Sequence, residues 1–331
     1  MSRVLVTGGT GFIGAHVVRR LFAEGPATRL RLLARRPERV PRAIGSAVEV
    51  VAGDLLDRAA IRSAVTGVDT VLHLAALARA WAPDSSSFHA TNVGALSMLI
   101  EEMNRAGVQR FVHVSTVMAG GPQGPGRGRG PNGSRVPSPY EVSKREGERL
   151  VLDHAASNHH AVIVRPTRVY GPGPLHDANG VTKMLHLYLQ GRFRIRLDDN
   201  DVLGNYVHAD DVARGVILAA RRGARGAIYT LGSENISLRG FLELASEVAG
   251  VRRVVVPIPA WAGLAIGGVA ELAGLVGGTP VITRAWVRTF LEDWRVDIES
   301  ARRDLGYDPR PLRAGLAETI AWLRSGAAVP A

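Results

Sequence analysis

Two groups of residues in this sequence could perform chemistry together. The first is Thr7–Gly14, whose glycines have the spacing Gly-x-Gly-x-x-Gly. The second is Tyr140–Lys144, in which a phenol and an ammonium group stand four residues apart and therefore share one face of a helix. The glycine segment predicts a phosphate-binding turn, and the Tyr–Lys pair predicts a proton donor beside it. Together they indicate a nicotinamide nucleotide held next to a proton donor, as a carbonyl reductase or an alcohol dehydrogenase requires.

The glycine segment lies where a dinucleotide-binding turn must lie, between a strand and a helix. Val4–Val6 is a short apolar run that predicts the strand, and Phe12–Ala23 has the pattern of the helix. Such a turn lets backbone N–H groups approach a pyrophosphate and directs the helix N-terminus at its negative charge. The residues predicted to contact the cofactor here are Gly8, Gly11, Phe12, Ile13 and Gly14.

The end of the second predicted strand, Leu30–Leu33, indicates which nucleotide is bound. NAD-specific domains place an acidic residue there to bind the ribose hydroxyls, whereas this chain continues Ala34-Arg35-Arg36-Pro37. Arginine side chains can pair with a 2′-phosphate. We therefore predict NADP (as NADPH) rather than NAD, with Arg35 and Arg36 as the 2′-phosphate contacts. The alternative is that both arginines belong to a basic surface.

Later strand ends supply further cofactor contacts. Asp54 follows the third strand and could accept a hydrogen bond from the adenine amino group, although Gly-Asp also favours a turn. The small residues after the fourth strand would let the cofactor ribose approach the backbone, while His73 itself is predicted to pack rather than to react. The remaining predicted cofactor contacts are Leu55, Leu74, Ala75, Ala76, Tyr140 and Lys144.

Thr116 strengthens the catalytic interpretation of Tyr140 and Lys144. A free phenol has a pKa near ~10, so that a neighbouring ammonium and a cationic nicotinamide ring are needed for proton transfer near neutral pH. Thr116 ends the predicted strand that begins at Phe111, upstream of Tyr140. Its hydroxyl could hold a substrate carbonyl while Tyr140 delivers the proton. No metal site is predicted.

The order of strands and helices predicts an α/β fold. Short buried strands alternate with helical stretches in the first half, which is typical of βαβ units on a parallel sheet. We predict a Rossmann-type, doubly wound parallel sheet formed by residues 1–170, with returns near 205–231, and a smaller, discontinuous C-terminal substrate lobe formed by 171–204 and 232–331. The glycine- and proline-rich segment Gly120–Pro139 is predicted to be either an active-site flap or a solvated insertion.

Composition excludes several other classes of protein. The 331-residue chain is 46% hydrophobic and has no cysteine, so that disulfides and thiolate chemistry are excluded. The net charge of +11 comes with no nucleic-acid recognition motif, and we expect no nucleic-acid partner. Val254–Val269 is too short to span a bilayer and is predicted to be a buried helix, with peripheral membrane contact as the alternative. We expect a cytoplasmic enzyme without integral membrane association.

An ordered series of motifs identifies the family. The chain resembles the extended short-chain dehydrogenase/reductase family, also called the NAD-dependent epimerase/dehydratase family, over nearly its whole length. The matching motifs are Thr7–Gly14, Gly53–Leu55, His73–Ala76, Ala90–Gly94 with Asn92, Val114–Thr116, Tyr140–Lys144, Arg165–Pro172, Val207–Ala213 and Ala301–Pro311, continued as far as Trp322.

The resemblance implies roles for individual residues. Thr116, Tyr140 and Lys144 would form the catalytic triad, with Lys144 also binding the nicotinamide ribose, and the backbone near Pro166 would line the nicotinamide pocket. Asn92 would either join a proton relay or pack between helices. The resemblance also implies a homodimer through the helices His89–Ala106 and Tyr140–Ala156. Where many family members have Tyr-Gly after the catalytic strand, this chain has Val117–Gly121.

Two features favour one branch of the family. Nucleotide-sugar enzymes tend to have an arginine just before a Tyr/Phe-Val-His segment, whereas this chain has Leu203–His208 without an adjacent arginine. The apolar residues between Trp261 and Val276 are similar to the dihydroflavonol-reductase and 3β-hydroxysteroid-dehydrogenase branch and predict an apolar lid, although ordinary helix packing would account for much of them. We therefore predict an NADP(H)-dependent ketoreductase or alcohol dehydrogenase acting on an apolar or aromatic small molecule. The alternatives are a nucleotide-sugar epimerase or dehydratase with tightly retained NAD, and a catalytically inactive dinucleotide sensor.

Overall fold

A computed structural model describes residues 3–25, 28–40, 48–79, 82, 84–122, 137–198, 202–276 and 283–326 of the chain. Strands and helices alternate through its first half, as the sequence predicts. The strands are β1 (Arg3–Thr7), β2 (Arg29–Ala34), β3 (Glu49–Ala52), β4 (Thr70–His73), β5 (Arg110–Val114), β6 (His160–Pro166), β7 (Arg168–Tyr170), β8 (Ile195–Leu197), β9 (Leu203–His208), β10 (Ile228–Leu231), β11 (Glu234–Ser237) and β12 (Val256–Ile258).

The helices connect these strands and cover both faces of the main sheet. One π-helical turn, Ala90–Gly94, joins the third and fourth helices, and another covers Ala301–Leu305. The helices are α1 (Phe12–Ala23), α2 (Arg58–Val65), α3 (Ser86–His89), α4 (Ala95–Ala106), α5 (Val117–Gly120), α6 (Pro139–Ala156), α7 (Gly180–Leu189), α8 (Ala209–Arg222), α9 (Leu238–Ala249), α10 (Ala260–Val276), α11 (Arg284–Thr289) and α12 (Leu312–Arg324).

Seven strands form one parallel sheet in the order β3-β2-β1-β4-β5-β6-β10. The chain builds outwards in one direction from β1 and in the other from β4. The carboxyl ends of these two strands therefore flank the switch point at which open α/β sheets bind ligands. This arrangement confirms the predicted doubly wound α/β fold.

Alternation along β1 shows how the sheet is buried on both faces. Val4 and Val6 belong to one apolar core, which includes residues of α1 and α8. Leu5, on the opposite face, belongs to a second core with residues of α2, α4 and α6. Because successive side chains of a strand point to opposite faces, a continuous apolar run is the pattern of a strand covered on both sides.

A third apolar core lies in the C-terminal half, where α7, α9 and α12 pack against two smaller sheets, β11-β9-β7 and β12-β8. Arg310 links this region to α8, because its guanidinium contacts the carboxylates of Asp210 and Asp211, each at 2.8 Å. In the same half, β10 returns to the edge of the main sheet and pairs with β6. The division into residues 1–170 and a two-part substrate lobe stays a prediction.

One prediction about the C-terminal half is wrong. The segment Val254–Val269 is not a buried helix, since Val254, Trp261 and Val269 are largely exposed. Ordinary helix packing accounts for a part of the apolar residues of α10, such as Leu264, which packs against the third core, but not for the exposed ones. Among the described residues, no helix is long and apolar enough to cross a membrane. Most of the predicted flap, residues 123–136, lies outside the described residues.

Candidate active site

The glycine turn after β1 needs its glycines for steric reasons. Gly8 has a φ of +72°, and a Cβ at this position would lie 2.6 Å from the backbone nitrogen of Ala75. A Cβ on Gly14 would lie only 2.0 Å from the carbonyl oxygen of Gly8, to which the Gly11 N–H donates at 2.9 Å. Side chains at these positions would push apart the turn, α1 and the segment after β4. The predicted phosphate-binding turn is therefore sterically intact.

The first turn of α1 leaves backbone donors for an anion. Gly11 precedes the helix, and no described side chain caps it. The N–H groups of Phe12, Ile13 and Gly14 have no partner within the helix, because the first turn of any α-helix lacks preceding carbonyls. The Phe12 ring is buried against His16 and Gly173, so that this residue offers its backbone rather than its ring to a cofactor. These features fit the pyrophosphate of a dinucleotide.

Arg35 and Arg36 are exposed directly after β2. The Nη1 atom of Arg35 lies 3.7 Å from Oδ2 of Asp54, which follows β3. Asp54 also accepts a hydrogen bond from the Leu56 N–H at 3.0 Å, which confirms its role in a turn. Both members of the Arg35–Asp54 pair are exposed, and such pairs contribute little energy. Arg35 can therefore turn towards a phosphate at low cost.

The segment after β4 lies directly against the glycine turn. The Leu74 N–H donates to the carbonyl oxygen of Thr7 at 3.1 Å, and Leu74, Ala75 and Ala76 are partly buried. His73 is buried, and its Nδ1 lies 2.7 Å from the Thr7 hydroxyl. Burial lowers the pKa of His73 to about 3. His73 is therefore a neutral packing residue, as the sequence analysis expects.

Helix α6 begins where it must to place Tyr140 and Lys144. The Ser138 side chain accepts a hydrogen bond from the N–H of Glu141 at 3.3 Å, and Pro139 occupies the first helical position. This cap places Tyr140 in the first turn and Lys144 in the next. The Tyr140 ring packs edge-to-face against Phe88, with the ring centroids 6.3 Å apart.

Thr116 and Tyr140 meet at the carboxyl end of the sheet. Thr116 follows β5 and caps α5, where its Oγ1 accepts a hydrogen bond from the Met118 N–H at 3.3 Å. The Thr116 hydroxyl is near enough to the Tyr140 phenol to oppose the rise of its pKa on burial. Two hydroxyl groups therefore converge on one point, which is the arrangement needed to hold a carbonyl oxygen.

Burial makes the Tyr140 phenol a very weak acid in the cofactor-free protein. Burial raises the pKa of Tyr140 to about 12, and the Thr116 hydroxyl opposes this shift only in part. Burial also lowers the pKa of Lys144 to about 8. The Lys144 ammonium donates to the carbonyl oxygen of Val114 at 2.9 Å. A further positive charge beside Tyr140 is therefore needed for efficient proton transfer near neutral pH.

His113 is a site residue that the sequence did not predict. It is buried on β5, with its Nε2 3.3 Å from the Nζ of Lys144, and its ring stacks on His73 with centroids 5.4 Å apart. Burial, together with the Lys144 charge, holds the pKa of His113 well below its ordinary value. A neutral imidazole thus lies against the catalytic lysine. The signal was two histidines on adjacent strands, but their register, His73 opposite His113, comes only from the structure.

Arg168 was not predicted as a site residue either. It lies beside Leu203–His208, the segment that distinguishes nucleotide-sugar enzymes from the other branch in the sequence. A Cβ on Gly204 would lie 2.2 Å from Nη1 of Arg168, so that the guanidinium covers this glycine. The same guanidinium donates to the Tyr206 hydroxyl at 3.1 Å and to the Thr289 carbonyl at 2.8 Å. It also lies 4.3 Å from the centroid of the Phe290 ring. An arginine is thus present at this place, but protein groups already hold it.

Asn92 connects the segment after β4 with α6, and among the described contacts none joins it to Lys144. Its Oδ1 accepts from the Leu77 N–H at 2.8 Å, and its Nδ2 donates to the Ser143 hydroxyl at 3.0 Å. Pro166 is buried at the end of β6, paired with Leu231. The roles of Asn92, Pro166 and the predicted triad stay predictions. Among the described residues, no group of three His, Asp or Glu side chains could hold a metal ion.

Comparisons with known proteins identify the family of the chain. The model of the NAD dependent epimerase/dehydratase family matches residues 4–232. The chain is 32% identical to sterol demethylase protein B of Methylococcus capsulatus, over 97% of this chain and 98% of that protein. It is 28% identical to a putative dihydroflavonol 4-reductase of Synechocystis, over 97% and 94% of the two chains.

A solved structure extends the similarity to the fold. The crystal structure of Thermus thermophilus UDP-glucose 4-epimerase, in complex with NAD, has a TM-score of 0.74 to this chain at 26% identity, and covers 97% of this chain and 99% of its own. The family predicted from the motifs is thereby confirmed. The chain is an NAD(P)-dependent enzyme acting on CH–OH groups, and it belongs to the NAD dependent epimerase/dehydratase family.

Proposed function

We propose that the protein is an NADP(H)-dependent ketoreductase or alcohol dehydrogenase that interconverts a ketone and a secondary alcohol on an apolar or aromatic small molecule. The observation that carries this proposal is the convergence of Thr116, at the end of β5, with Tyr140 and the buried Lys144 of α6, whose ammonium donates to the carbonyl oxygen of Val114 on the same strand. These three groups lie at the carboxyl end of the sheet, on the same side as the glycine turn.

In the reductive direction, a bound nicotinamide nucleotide would supply the hydride. Thr116 and Tyr140 would hydrogen-bond to the substrate oxygen and hold the carbonyl in place. Tyr140 would then give its proton to that oxygen. The Lys144 ammonium would stabilise the resulting phenolate, because a nearby positive charge favours the charged form of a phenol.

Replacing Tyr140 with Phe tests the assignment of the proton donor. We expect turnover to fall by about two to four orders of magnitude, which is the usual contribution of a general acid, while nucleotide affinity changes little. Both quantities can be measured, by NADPH oxidation and by fluorescence titration. Activity close to that of the wild type would overturn the assignment.

We propose NADP as the cofactor because Arg35 and Arg36 are exposed where NAD-specific domains have an acid. Replacing both with Ala should weaken NADPH binding about tenfold to a hundredfold and leave NADH binding nearly unchanged. Arg29→Gln is a suitable control, since Arg29 is exposed at the opposite end of β2. Equal losses for both nucleotides would contradict the NADP proposal.

The substrate class is proposed from the names of relatives and from the chain's own residues. The sterol demethylase protein and the putative dihydroflavonol reductase are named for apolar or aromatic compounds. In this chain Gly204 and Asn205 precede Tyr206, and the neighbouring Arg168 is held by Tyr206, Thr289 and Phe290 rather than free to bind a diphosphate.

The second candidate is a nucleotide-sugar epimerase or dehydratase, which the similarity to the Thermus epimerase favours. Denaturing the purified protein and identifying any released nucleotide separates the two functions. Stoichiometric NAD that does not exchange would support the epimerase or dehydratase. Empty or NADP-loaded protein, with reversible binding that prefers NADPH, would support the reductase. The homodimer and the cytoplasmic location belong to the proposal as well, and sedimentation velocity tests the former.

A further inference from the structure

Helix α10 is built with its large apolar side chains on the outside. Trp261, Val269 and Leu272 are 72%, 68% and 66% exposed, and they recur at i, i+8 and i+11 on one face. The inward face carries glycines instead. A Cβ on Gly263 would lie 2.3 Å from Leu197 Cδ2, and one on Gly267 would lie 2.8 Å from the Arg284 nitrogen. The glycine face of the helix therefore packs closely against the protein, and the large apolar side chains of the opposite face are exposed.

The outward face of α10 carries no charge. Glu271 is the one charged residue in the helix sequence. Its carboxylate accepts hydrogen bonds from the backbone nitrogen and the Nε of Arg284, both at 2.7 Å, so that its charge is neutralised from α11. A water-facing helix of a soluble domain usually shows the reverse pattern, with polar residues outside.

The two-stranded sheet that leads into α10 also exposes apolar side chains. Val256 is exposed on β12 and pairs with the exposed Ile195 of β8. Val254, just before β12, is 85% exposed. We call Ile195, Val254, Val256 and the outward face of α10 the apolar surface. Exposed apolar residues grouped in this way mark interaction sites, whereas single ones need no explanation.

Arginines are frequent in the segments that carry the apolar surface and in α11, which packs against α10. Within the described residues 192–198, 252–276 and 283–288, there are seven arginines and two acids; Arg284 pairs with Glu271, so that six arginines remain against Asp198. Asp199 and Asp201 follow in the sequence but lie outside the described residues. The arginines are Arg192, Arg194, Arg196, Arg252, Arg253, Arg284 and Arg288.

We propose that the apolar surface docks on the interface of an anionic phospholipid bilayer and attaches the enzyme peripherally. Tryptophan and aliphatic side chains enter the boundary between headgroups and acyl chains, and neighbouring arginines bind lipid phosphates. The charge decides against a second copy of the chain, because a two-fold symmetric contact would bring the same arginines together. This inference is independent of which ketone or alcohol the enzyme accepts.

Flotation with lipid vesicles tests the proposal. The wild-type protein should bind vesicles that contain phosphatidylglycerol and phosphatidylcholine, bind phosphatidylcholine alone much more weakly, and dissociate as salt is raised, because salt screens the arginine charges. Failure to bind the anionic vesicles at low salt would overturn the proposal.

A matched pair of variants locates the contact. Leu272→Glu should reduce vesicle binding on the order of tenfold or more. Leu56→Glu changes the net charge equally at another exposed leucine and should leave binding nearly unchanged. Arg252→Gln should weaken binding to anionic vesicles more than Arg29→Gln does. Equal effects within either pair would show that binding is not located at the apolar surface.

Tryptophan fluorescence is a second readout that does not require a charged residue to be introduced. The emission of Trp261 should shift to shorter wavelength when anionic vesicles are added, and Trp261→Phe should remove that shift. If Leu272→Glu instead converts a dimer to a monomer in sedimentation velocity and leaves vesicle binding intact, the surface is an interface between copies and the proposal fails.

Discussion

Replacing Lys144 with Met should stabilise the cofactor-free protein while abolishing its activity. Lys144 is only 2% exposed, and burial lowers its pKa from an ordinary value of 10.5 to about 8. One pKa unit corresponds to about 1.4 kcal/mol, so that keeping this ammonium charged at pH 7 costs up to about 3 kcal/mol. Met has a similar length and no charge. Allowing for the lost hydrogen bond to Val114, we expect a gain of about 1–3 kcal/mol.

The pH dependence of the gain distinguishes this explanation from a general improvement in packing. Below pH 8 Lys144 is protonated in both the folded and unfolded states, and its full burial cost is present. Between pH 8 and 10.5 the unfolded chain binds the proton more strongly, so that this group makes wild-type stability rise with pH. The difference between Lys144→Met and wild type should therefore shrink across this window.

Urea unfolding of cofactor-free protein at several pH values measures this difference. Lys183→Met is the matched control, because Lys183 lies partly exposed on α7 and its replacement removes no buried charge. Destabilisation by Lys144→Met at pH 7, or a gain that stays constant up to pH 10.5, would refute the reasoning. Confirmation would show that the site keeps a costly charge that folding does not need, as expected for a group retained for catalysis.

Two further predictions concern the cofactor turn and the C-terminal half. Gly14→Ala should abolish detectable nucleotide binding in fluorescence titration, because the added methyl would lie 2.0 Å from the Gly8 oxygen. Gly94→Ala is the control and should bind normally, because its methyl would meet only the His89 oxygen, at 3.9 Å. Normal binding by the Gly14 variant would contradict the turn geometry. Arg310→Ala should lower the free energy of unfolding by about 3 kcal/mol, since it leaves the buried Asp211 carboxylate without its 2.8 Å partner. An unchanged urea midpoint would show that this link between the two regions carries no energy.

Local signals in the sequence were sufficient for the sheet and for the first helix. Phe12–Ala23 was predicted with the bounds that the structure has, because the glycine turn fixes where α1 begins. Strands β1 and β2 were predicted to within one residue at each end and β5 to within two, since strands buried on both faces are continuous apolar runs. These features depend on neighbours along the chain, which a single sequence displays directly.

Contacts across the fold were not accessible in the same way. His113 was assigned to a strand, but its position against Lys144 depends on the register between β4 and β5 and on how α6 lies over them. Arg168 was part of a recognised motif, yet its place over Gly204 depends on the pairing of β7 with β9. Thr116, Tyr140 and Lys144 were predicted to act together from a hydroxyl at the end of a strand and from a Tyr–Lys pair on one helix face, and the family motifs agree with that prediction.

Helix α10 shows where the argument from hydrophobicity fails. A helix that is apolar on all sides is usually buried, and that rule predicted burial here. The rule weighs apolar character and ignores size, whereas packing depends on size. Gly263 and Gly267 allow the closest approach to the protein, so that the glycine face turns inward and Trp261 and Leu272 are left outside. In an all-apolar helix the spacing of glycines is therefore the better predictor of the buried face, and the bulky opposite face becomes the surface for which a partner must be sought.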